Sequence, residues 1–321
     1  MGNTVWSVRF WSAYWTTMRP YLVFISGAAG LVGLAFIREP DYLRAALAFF
    51  PLLLSYGFGQ ALTDCFQMDT DALSSPYRPL VRGVISRTQV LVVSLVGLAA
   101  GVAVLAFLNP VIIIPGGVAV LGLLTYTVLK RTWWGGPPWN SWIVALLPVI
   151  GRLVEEKYTL GRVFHSQDSR AFCLSIAAVF FAYANFVVMG YFKDISADRK
   201  TGYRTFPVVF GWKPAALYSD AVALAAALCA GAALYSIGRL NMLGIAFFLL
   251  AVSVSLPAQV KIHRIREEKQ AHGPIANVVR AFILYCGAVI LTLQPGWGYF
   301  MVLFCFLFEF TLMQRPEQSQ V

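Results

Sequence analysis

Apolar runs long enough to cross a lipid bilayer recur along almost the whole chain, separated by short polar stretches. A membrane-spanning helix needs about 20 mostly apolar residues, and most of the runs approach that length. The fifth run is the shortest and contains Pro148 and Gly151, so its limits stay open. The runs lie at 20–37, 43–62, 89–108, 111–128, 140–154, 171–192, 214–236, 241–260, 276–293 and 297–312.

These runs predict an all-α fold, a polytopic membrane bundle of nine transmembrane helices. The last run, 297–312, is either a tenth span or a short re-entrant piece. Before the first run, segment 1–19 is dense in aromatic residues and carries Arg9 and Arg19. Such a segment is typical of an amphipathic helix lying at the membrane interface. We expect one integral-membrane domain covering residues 1–321.

Composition excludes most soluble classes of protein. Hydrophobic residues make up 59% of the chain and charged residues 12%, against about 25% charged in ordinary soluble domains. So few charges cannot solvate the surface of a water-soluble globule, and membrane lipid is therefore an expected partner. A disordered chain, a secreted disulfide scaffold and a nucleic-acid-binding domain are excluded. The five cysteines fall mostly in apolar runs without paired spacing and give no metal or disulfide signal.

The formal net charge of +10 describes membrane topology rather than a nucleic-acid surface. Most Lys and Arg residues lie in the N-terminal segment and in the loops that join an even-numbered run to the next odd one. Cytoplasmic loops carry such an excess. The sequence therefore predicts that these loops face the cytoplasm.

Two of these loops are rich in aspartate. The loop after the second run carries Asp64, Gln67 and Asp71, and the loop after the sixth run carries Asp194 and Asp198. On a continuing helix Asp64 and Asp71, seven residues apart, would share one face, as would Asp194 and Asp198, four apart. We expect both clusters to open to the same aqueous side.

Carboxylates gathered at one mouth are costly unless a cation lies among them. Oxygen ligands that leave room for water and phosphate oxygens suit Mg²⁺, and adjacent Lys and Arg side chains favour a phosphate or diphosphate anion. A diphosphate at the mouth of an apolar helical cavity needs a lipid-like tail, which describes an isoprenyl diphosphate. The alternative is that these aspartates only cap helices and balance basic residues in solvated loops.

The two loops resemble the motifs of a known family, the UbiA-type intramembrane prenyltransferases. The segment 193–207 is similar to the family's second Asp-rich motif with its Asp-Arg-x-x-Gly-x-x-Thr continuation. The first loop is similar to Asn-Asp-x-x-Asp-x-x-x-Asp followed by Pro-x-Arg-Pro, with Thr63 in place of the Asn and Gln67 in place of the middle Asp. The resemblance spans nearly the whole chain.

The resemblance implies nine transmembrane helices around a central cavity, with 297–312 as an addition. It also implies Mg²⁺–diphosphate binding at Asp64, Asp71, Asp194 and Asp198, with Gln67 as an amide donor of one charge fewer. Candidate diphosphate-binding cations follow from position beside the motifs or at the start of the 4–5 loop. These are Arg78, Lys130, Arg131 and Lys193.

The sequence thus predicts a Mg²⁺-dependent prenyltransferase that moves an isoprenyl group to a second, aromatic or otherwise lipophilic, acceptor. Its active-site mouth would face the cytoplasm. A UbiA-type terpene cyclase is the first alternative, because it uses the same ionisation and captures the cation with its own double bonds. A transporter is the second alternative. The scarcity of charged residues in the centres of the spans argues against it.

Overall fold

The computed structural model describes residues 4–155, 159–239 and 241–315, and these segments are helical almost throughout. Short turns and 3₁₀ segments join fifteen α-helices in the described parts of the chain. In chain order they are α1 Val8–Met18, α2 Val23–Ala35, α3 Tyr42–Asp64, α4 Met68–Ser74, α5 Arg87–Leu108, α6 Ile113–Thr132, α7 Gly136–Leu153, α8 Leu160–Phe164, α9 Ser169–Tyr191, α10 Ile195–Lys200, α11 Phe206–Phe210, α12 Trp212–Ile237, α13 Met242–Arg264, α14 His272–Leu293 and α15 Gly298–Met313.

Each predicted apolar run corresponds to one helix, so the all-α membrane bundle is confirmed. Helices α1 and α2 together qualify as one broken span with a bend of 46°. The run 297–312 forms α15 and has the length and composition of a span, which favours the tenth-span alternative. Eight of the described helices are long and apolar enough to cross a bilayer by themselves: α3, α5, α6, α9, α12, α13, α14 and α15.

Helix α7, the fifth predicted run, is not among those eight because it is less apolar. It packs between α2 and α9, and most of its side chains are buried by protein rather than exposed to lipid. A helix enclosed by other helices can carry polar side chains such as Asn140 and Arg152, because lipid does not surround it. The fifth run is thus an enclosed helix of the bundle.

The backbones of α2 and α7 approach each other closely. A Cβ atom added to Gly33 would lie 2.0 Å from the carbonyl oxygen of Pro148, and one added to Gly151 would lie 2.3 Å from that of Gly30. No real side chain tolerates such distances. Small residues at helix crossings allow this close packing in membranes. We refer to this crossing as the α2–α7 seam.

Helices α2, α9 and α14 form the buried centre of the bundle, and the other long helices surround them with apolar side chains facing outward. Helix α15 is fastened to this centre in two ways. Arg280 of α14 donates two hydrogen bonds to Glu309, at 2.6 and 2.8 Å. The Phe24 ring of α2 packs against Phe304 at a centroid distance of 4.9 Å.

Helix α1 is amphipathic, as expected for segment 1–19, of which residues 1–3 lie outside the described part. Phe10 and Tyr14 are buried, and the Tyr14 hydroxyl lies 2.8 Å from that of Ser94 on α5. The helix ends at Arg19, whose φ of 53° is left-handed, and the chain then turns into α2. The indole rings of the opposite face are exposed: Trp6, Trp11 and Trp15.

Candidate active site

Both aspartate-rich loops begin where a long helix breaks and a short helix starts in a new direction. Helix α3 ends at Asp64 and is followed by α4, while α9 ends at Tyr191 and is followed by α10. The two short helices lie side by side, since the hydroxyl oxygens of Thr70 and Thr201 are 2.7 Å apart. The two loops are therefore brought together, as the sequence predicts.

A cavity of about 460 Å³ extends from these loops into the bundle. Charged and polar side chains line its mouth, and they include Asp64, Asp71 and Asp194. Tyr126, Tyr183 and Tyr191 follow further in. The depth is apolar and is lined from α3, α5, α6 and α7 by residues that include Leu54, Phe58, Leu98, Leu105, Val120, Leu123, Ile143 and Leu147.

Asp64 is held by three polar partners although it is almost fully buried. Arg19 donates to both of its carboxylate oxygens, at 3.0 and 3.1 Å, and Gln60 Nε2 donates to Oδ1 at 2.7 Å. Arg78 Nη1 lies 3.7 Å from Oδ2. The left-handed conformation of Arg19 directs the end of the interfacial helix into the site.

Asp71 forms a buried ion pair with Arg78, and this pair links the last aspartate of the first motif to the Pro-x-Arg-Pro continuation. Burial raises the pKa of Asp71, against the opposing effect of the Arg78 guanidinium and with a contribution from Asp64. Burial alone would lower the pKa of Arg78, but the nearby carboxylates of Asp71 and Asp64 outweigh it and raise that pKa.

Lys130 connects the two motifs. Its ammonium group donates to Gln67 Oε1 at 2.9 Å and lies 3.7 Å from Asp198 Oδ1. The same group lies over the rings of Tyr191 and Tyr203, at 5.2 and 5.1 Å from their centroids. The side chain is only 6% exposed, so its charge acts in a desolvated setting.

The second motif contains the most deeply buried carboxylate of the site. Asp198 is 0% exposed; Thr205 donates to its Oδ2 at 3.0 Å, whereas its Oδ1 has no hydrogen-bond partner among the described residues. Burial raises the pKa of Asp198 to about 6, against the opposing charge of Lys130. Asp198 itself does not line the cavity and lies directly behind Lys130.

Asp194 lines the cavity and pairs with Lys193 at 3.4 Å. Burial alone would raise the pKa of Asp194, but Lys193, Lys130 and Arg78 outweigh it and hold that pKa below its usual value. The two aspartates of this motif thus differ, one ionised toward the cavity and one buried behind it.

Two expectations about placement need correction. Asp64 and Asp71 do not share the face of a continuing helix, because α3 ends at Asp64 and α4 starts afresh at Met68. They meet instead through Arg78. Arg131 does not line the cavity, since its guanidinium pairs with Asp69 and donates to the Tyr203 hydroxyl at 3.0 Å.

Sequence reasoning missed three residues that hold the motif aspartates: Arg19, Gln60 and Thr205. Arg19 appeared only as an interfacial charge, because two long helices, α2 and α3, separate it from the first motif along the chain. Thr205 was recognised as part of the continuation of the second motif, but its hydrogen bond to Asp198 was not predicted. Gln60 lies one helical turn before Asp64, a spacing that favours such a hydrogen bond.

The donor chemistry fits Mg²⁺. Within the described residues, no three His, Cys, Asp or Glu side chains converge closely enough to hold a metal ion without other ligands. Mg²⁺ is usually bound by one or two carboxylates together with substrate phosphates and water. The carboxylates of Asp64, Asp71 and Asp194 line the mouth of the cavity and match that requirement. Asp198 Oδ1 lies behind them, 3.7 Å from the Lys130 ammonium.

Comparison with known proteins agrees with this geometry. The chain is 27% identical to the digeranylgeranylglyceryl phosphate synthase of Pyrococcus furiosus, over 62% of this chain and 69% of that protein. Its fold is similar to the apo structure of a UbiA homologue from Aeropyrum pernix K1, with a TM-score of 0.66 at 22% identity, covering 92% of this chain and 100% of that one.

It is also similar to a UbiA homologue from Archaeoglobus fulgidus bound to DMAPP and Mg²⁺, with a TM-score of 0.62 at 18% identity, covering 86% and 98% of the two chains. The sequence profile of the UbiA prenyltransferase family matches residues 21–283, which is most of the chain. The resemblance seen in the two motifs is thereby confirmed, and the chain belongs to the UbiA prenyltransferase family.

Proposed function

We propose that this protein is a Mg²⁺-dependent membrane enzyme that transfers an isoprenyl group from its diphosphate to a lipophilic acceptor. The observation that carries the proposal is one cavity with a charged mouth and an apolar depth. A diphosphate fits the first and a hydrocarbon tail the second. The Archaeoglobus fulgidus homologue, which was solved with DMAPP and Mg²⁺, supports the same pairing of ligands.

The aspartates of both motifs are the proposed metal-binding residues: Asp64, Asp71, Asp194 and Asp198, with Gln67 as a neutral oxygen donor. Bound Mg²⁺ offsets the charge of the diphosphate and makes it a better leaving group. In the absence of a ligand, Arg19, Arg78 and Lys130 neutralise the first motif. These cations can turn to phosphate oxygens when the substrate arrives.

Arg78, Lys130 and Lys193 line the mouth and are the proposed diphosphate-binding cations. They stabilise the negative charge that grows on the leaving group as the bond between C1 of the isoprenyl group and the bridging oxygen breaks. Both bonding electrons leave with the diphosphate, and an allylic cation remains in the cavity.

The apolar depth keeps water from that cation, which water would otherwise capture as an alcohol. Tyr126, Tyr183 and Tyr191 line the cavity between the mouth and the depth, and aromatic rings stabilise cations. Tyr126 and Tyr191 hold each other through hydroxyl oxygens 3.0 Å apart. The acceptor then forms its bond to C1 and releases one proton to solvent at the mouth.

The acceptor is proposed as a membrane-soluble nucleophile. An aromatic acceptor, expected from the sequence, stays a prediction. The relative from Pyrococcus furiosus is named for digeranylgeranylglyceryl phosphate, which favours a hydroxyl group on a glyceryl phosphate lipid. The cytoplasmic orientation of the mouth also stays a prediction. Labelling of single cysteines at Ser74 and Ser196 in sealed vesicles tests it.

Diphosphate release is the test of the proposed function. Purified protein in nanodiscs with Mg²⁺ receives isoprenyl diphosphates of several lengths, alone, with phenols, or with a monoalkyl glyceryl phosphate. We expect release only with an acceptor, together with an alkylated product. Release without an acceptor and formation of a cyclic product would instead make the protein a terpene cyclase. No release with any donor would overturn the proposal.

A further inference from the structure

A second cavity, of about 1040 Å³, lies beside the first on the same side of the bundle. The turn between α4 and α5 separates the two, because Tyr77 faces the second cavity and Arg78 faces the first. Lys193 and Asp194 line both cavities. A ligand in the second cavity would therefore lie next to the mouth where we place the diphosphate.

Basic side chains from several separate segments converge on this second cavity. Two acidic side chains also line it, but both are engaged. Asp194 pairs with Lys193, and Glu268 accepts hydrogen bonds from the backbone N–H and the hydroxyl of Ser196, at 2.8 and 2.7 Å. The basic residues are Lys193, Lys200 at the end of α10, Lys261 on α13, Lys269 before α14 and Arg315 after α15.

Four of these residues lack a direct polar partner within the described part of the chain. Lys200, Lys261, Lys269 and Arg315 form no side-chain hydrogen bond or ion pair with any other described residue. Lys261 also extends over the start of α14, where its Nζ lies 3.4 Å from the position of a Cβ on Gly273. Like charges brought to one cavity repel each other unless an anion occupies it.

We propose that this cavity, here named the lysine pocket, binds the phosphate headgroup of the acceptor lipid. The proposal rests on the proposed function and specifies its second substrate as an anionic glyceryl phosphate rather than a neutral phenol. Several ammonium groups around one space suit a phosphate, which offers them its oxygens and two negative charges. The shared wall at Lys193 and Asp194 places that headgroup beside the donor.

General attraction to an anionic membrane surface does not explain the arrangement. Other exposed basic residues on the same side, such as Arg199 and Arg264, do not line the lysine pocket. Arg199 is the neighbour of Lys200, and Arg264 follows Lys261 by one helical turn. These two arginines therefore supply a control with the same change in net charge.

The first experiment measures phosphate-headgroup binding without turnover. Native mass spectrometry of the purified full chain follows dioctanoyl phosphatidic acid, with dioctanoylglycerol as the ligand lacking phosphate. We expect the Lys261→Gln/Lys269→Gln variant to bind the phosphatidic acid at least about tenfold more weakly than wild type. The Arg199→Gln/Arg264→Gln variant should stay within about twofold. Equal weakening in both variants, or in neither, would overturn the proposal.

The second experiment separates an acceptor site from a site for a structural lipid. In the diphosphate-release assay with a monoalkyl glyceryl phosphate, the lysine variant should raise the acceptor KM at least about tenfold. Its donor KM should stay within about twofold. If phosphatidic acid binding falls but the acceptor KM does not change, the lysine pocket holds a structural lipid and the acceptor assignment is wrong. If no donor releases diphosphate, the proposed function fails, while the binding experiment still decides whether the pocket takes a phosphate.

Discussion

The two aspartate motifs have similar sequences, yet they differ in how the protein neutralises them. Three side chains of the first motif at the cavity each contact a cationic group: Asp64 with Arg19, Gln67 with Lys130 and Asp71 with Arg78. In the second motif Asp194 pairs with Lys193, whereas Asp198 Oδ1 has Lys130 at 3.7 Å but no hydrogen-bond partner among the described residues.

This difference suggests a division of labour. The first motif carries its own counter-charges and is stable as an ion-pair network without ligand. In the second motif Asp198 Oδ1 is buried without a hydrogen bond, at 3.7 Å from Lys130, and a buried oxygen that lacks a hydrogen bond is costly. Ligand binding should therefore change the energetics of the second motif more than those of the first.

The largest expected effect comes from Asp198→Asn. The substitution keeps the size and the Thr205 contact but removes the charge that we assign to metal binding. Loss of several kcal/mol of transition-state stabilisation corresponds to about a 10³-fold fall in kcat. Diphosphate release measures it.

Asp69→Asn is the matched control, because Asp69 is exposed and pairs with Arg131 away from the cavity. Size-exclusion chromatography should show both variants folded. Comparable activity of Asp198→Asn and wild type at saturating Mg²⁺ would remove the metal role of Asp198.

The next effect is on stability and concerns Arg19→Gln. Removing one partner of a buried ion pair leaves the other charge uncompensated and costs about 3 kcal/mol of unfolding free energy. Thermal unfolding in detergent should show the loss clearly without Mg²⁺ and less of it with Mg²⁺, since the metal also neutralises Asp64. Arg9→Gln, on the exposed face of the same helix, should change neither.

An equal loss for Arg19→Gln with and without Mg²⁺ would mean that Asp64 does not contact the metal. The two motifs would then differ more in function, because metal binding would belong to the second motif alone.

A smaller effect is expected from Gln67→Asp, which gives the first motif the carboxylate that its family pattern has at this position. The added charge should lower the half-saturating Mg²⁺ concentration about threefold, a modest gain because Lys130 would pair with the new carboxylate. A Mg²⁺ titration of diphosphate release measures it. Thr88→Asp is the control for added charge outside the motif, because Thr88 is exposed at the start of α5 and does not line the cavity. A higher requirement for Mg²⁺ would show that Gln67 serves Lys130 rather than the metal.

The smallest effect is expected from Arg131→Gln. Arg131 contacts Asp69 and Tyr203 in an exposed position, and surface ion pairs contribute about 0–1 kcal/mol. The donor KM should therefore change less than about threefold, whereas Lys130→Gln should raise it by at least about tenfold. A large rise for Arg131→Gln would support the sequence prediction that this residue binds diphosphate.

Much of the fold was predictable for two reasons. Bilayer thickness sets the length of an apolar run, and in lipid a helix satisfies its own backbone hydrogen bonds within one such run. Helix α7 was the least defined run, since it is enclosed by protein and the bilayer does not set its composition. Helix α15 was left open because a short apolar stretch after Pro295 and Gly296 is compatible with either a span or a re-entrant piece.

The parts of the site that depend on residue type could be predicted from the sequence. The parts that depend on where the backbone turns could not. Residue type, position and the family resemblance together predicted that the aspartates, Lys130, Lys193 and Arg78 lie near one another, and their roles in binding stay predictions. The break after Asp64, and the left-handed Arg19 that reaches back to it, depend on backbone turns that helical periodicity does not encode. The lysine pocket was missed because it gathers side chains from segments that are far apart in sequence.

The α2–α7 seam has a consequence for how lipids reach the cavity. At Gly33 and Gly151 the two backbones touch and there are no side chains that could rotate away. A gap on this flank of the bundle would therefore require α2 and α7 to separate as whole helices. The opposite flank is lined by α5 and α6, whose apolar side chains face both the cavity and the bilayer. We therefore expect long-chain substrates to enter and leave the cavity laterally, between α5 and α6, while the α2–α7 seam stays closed.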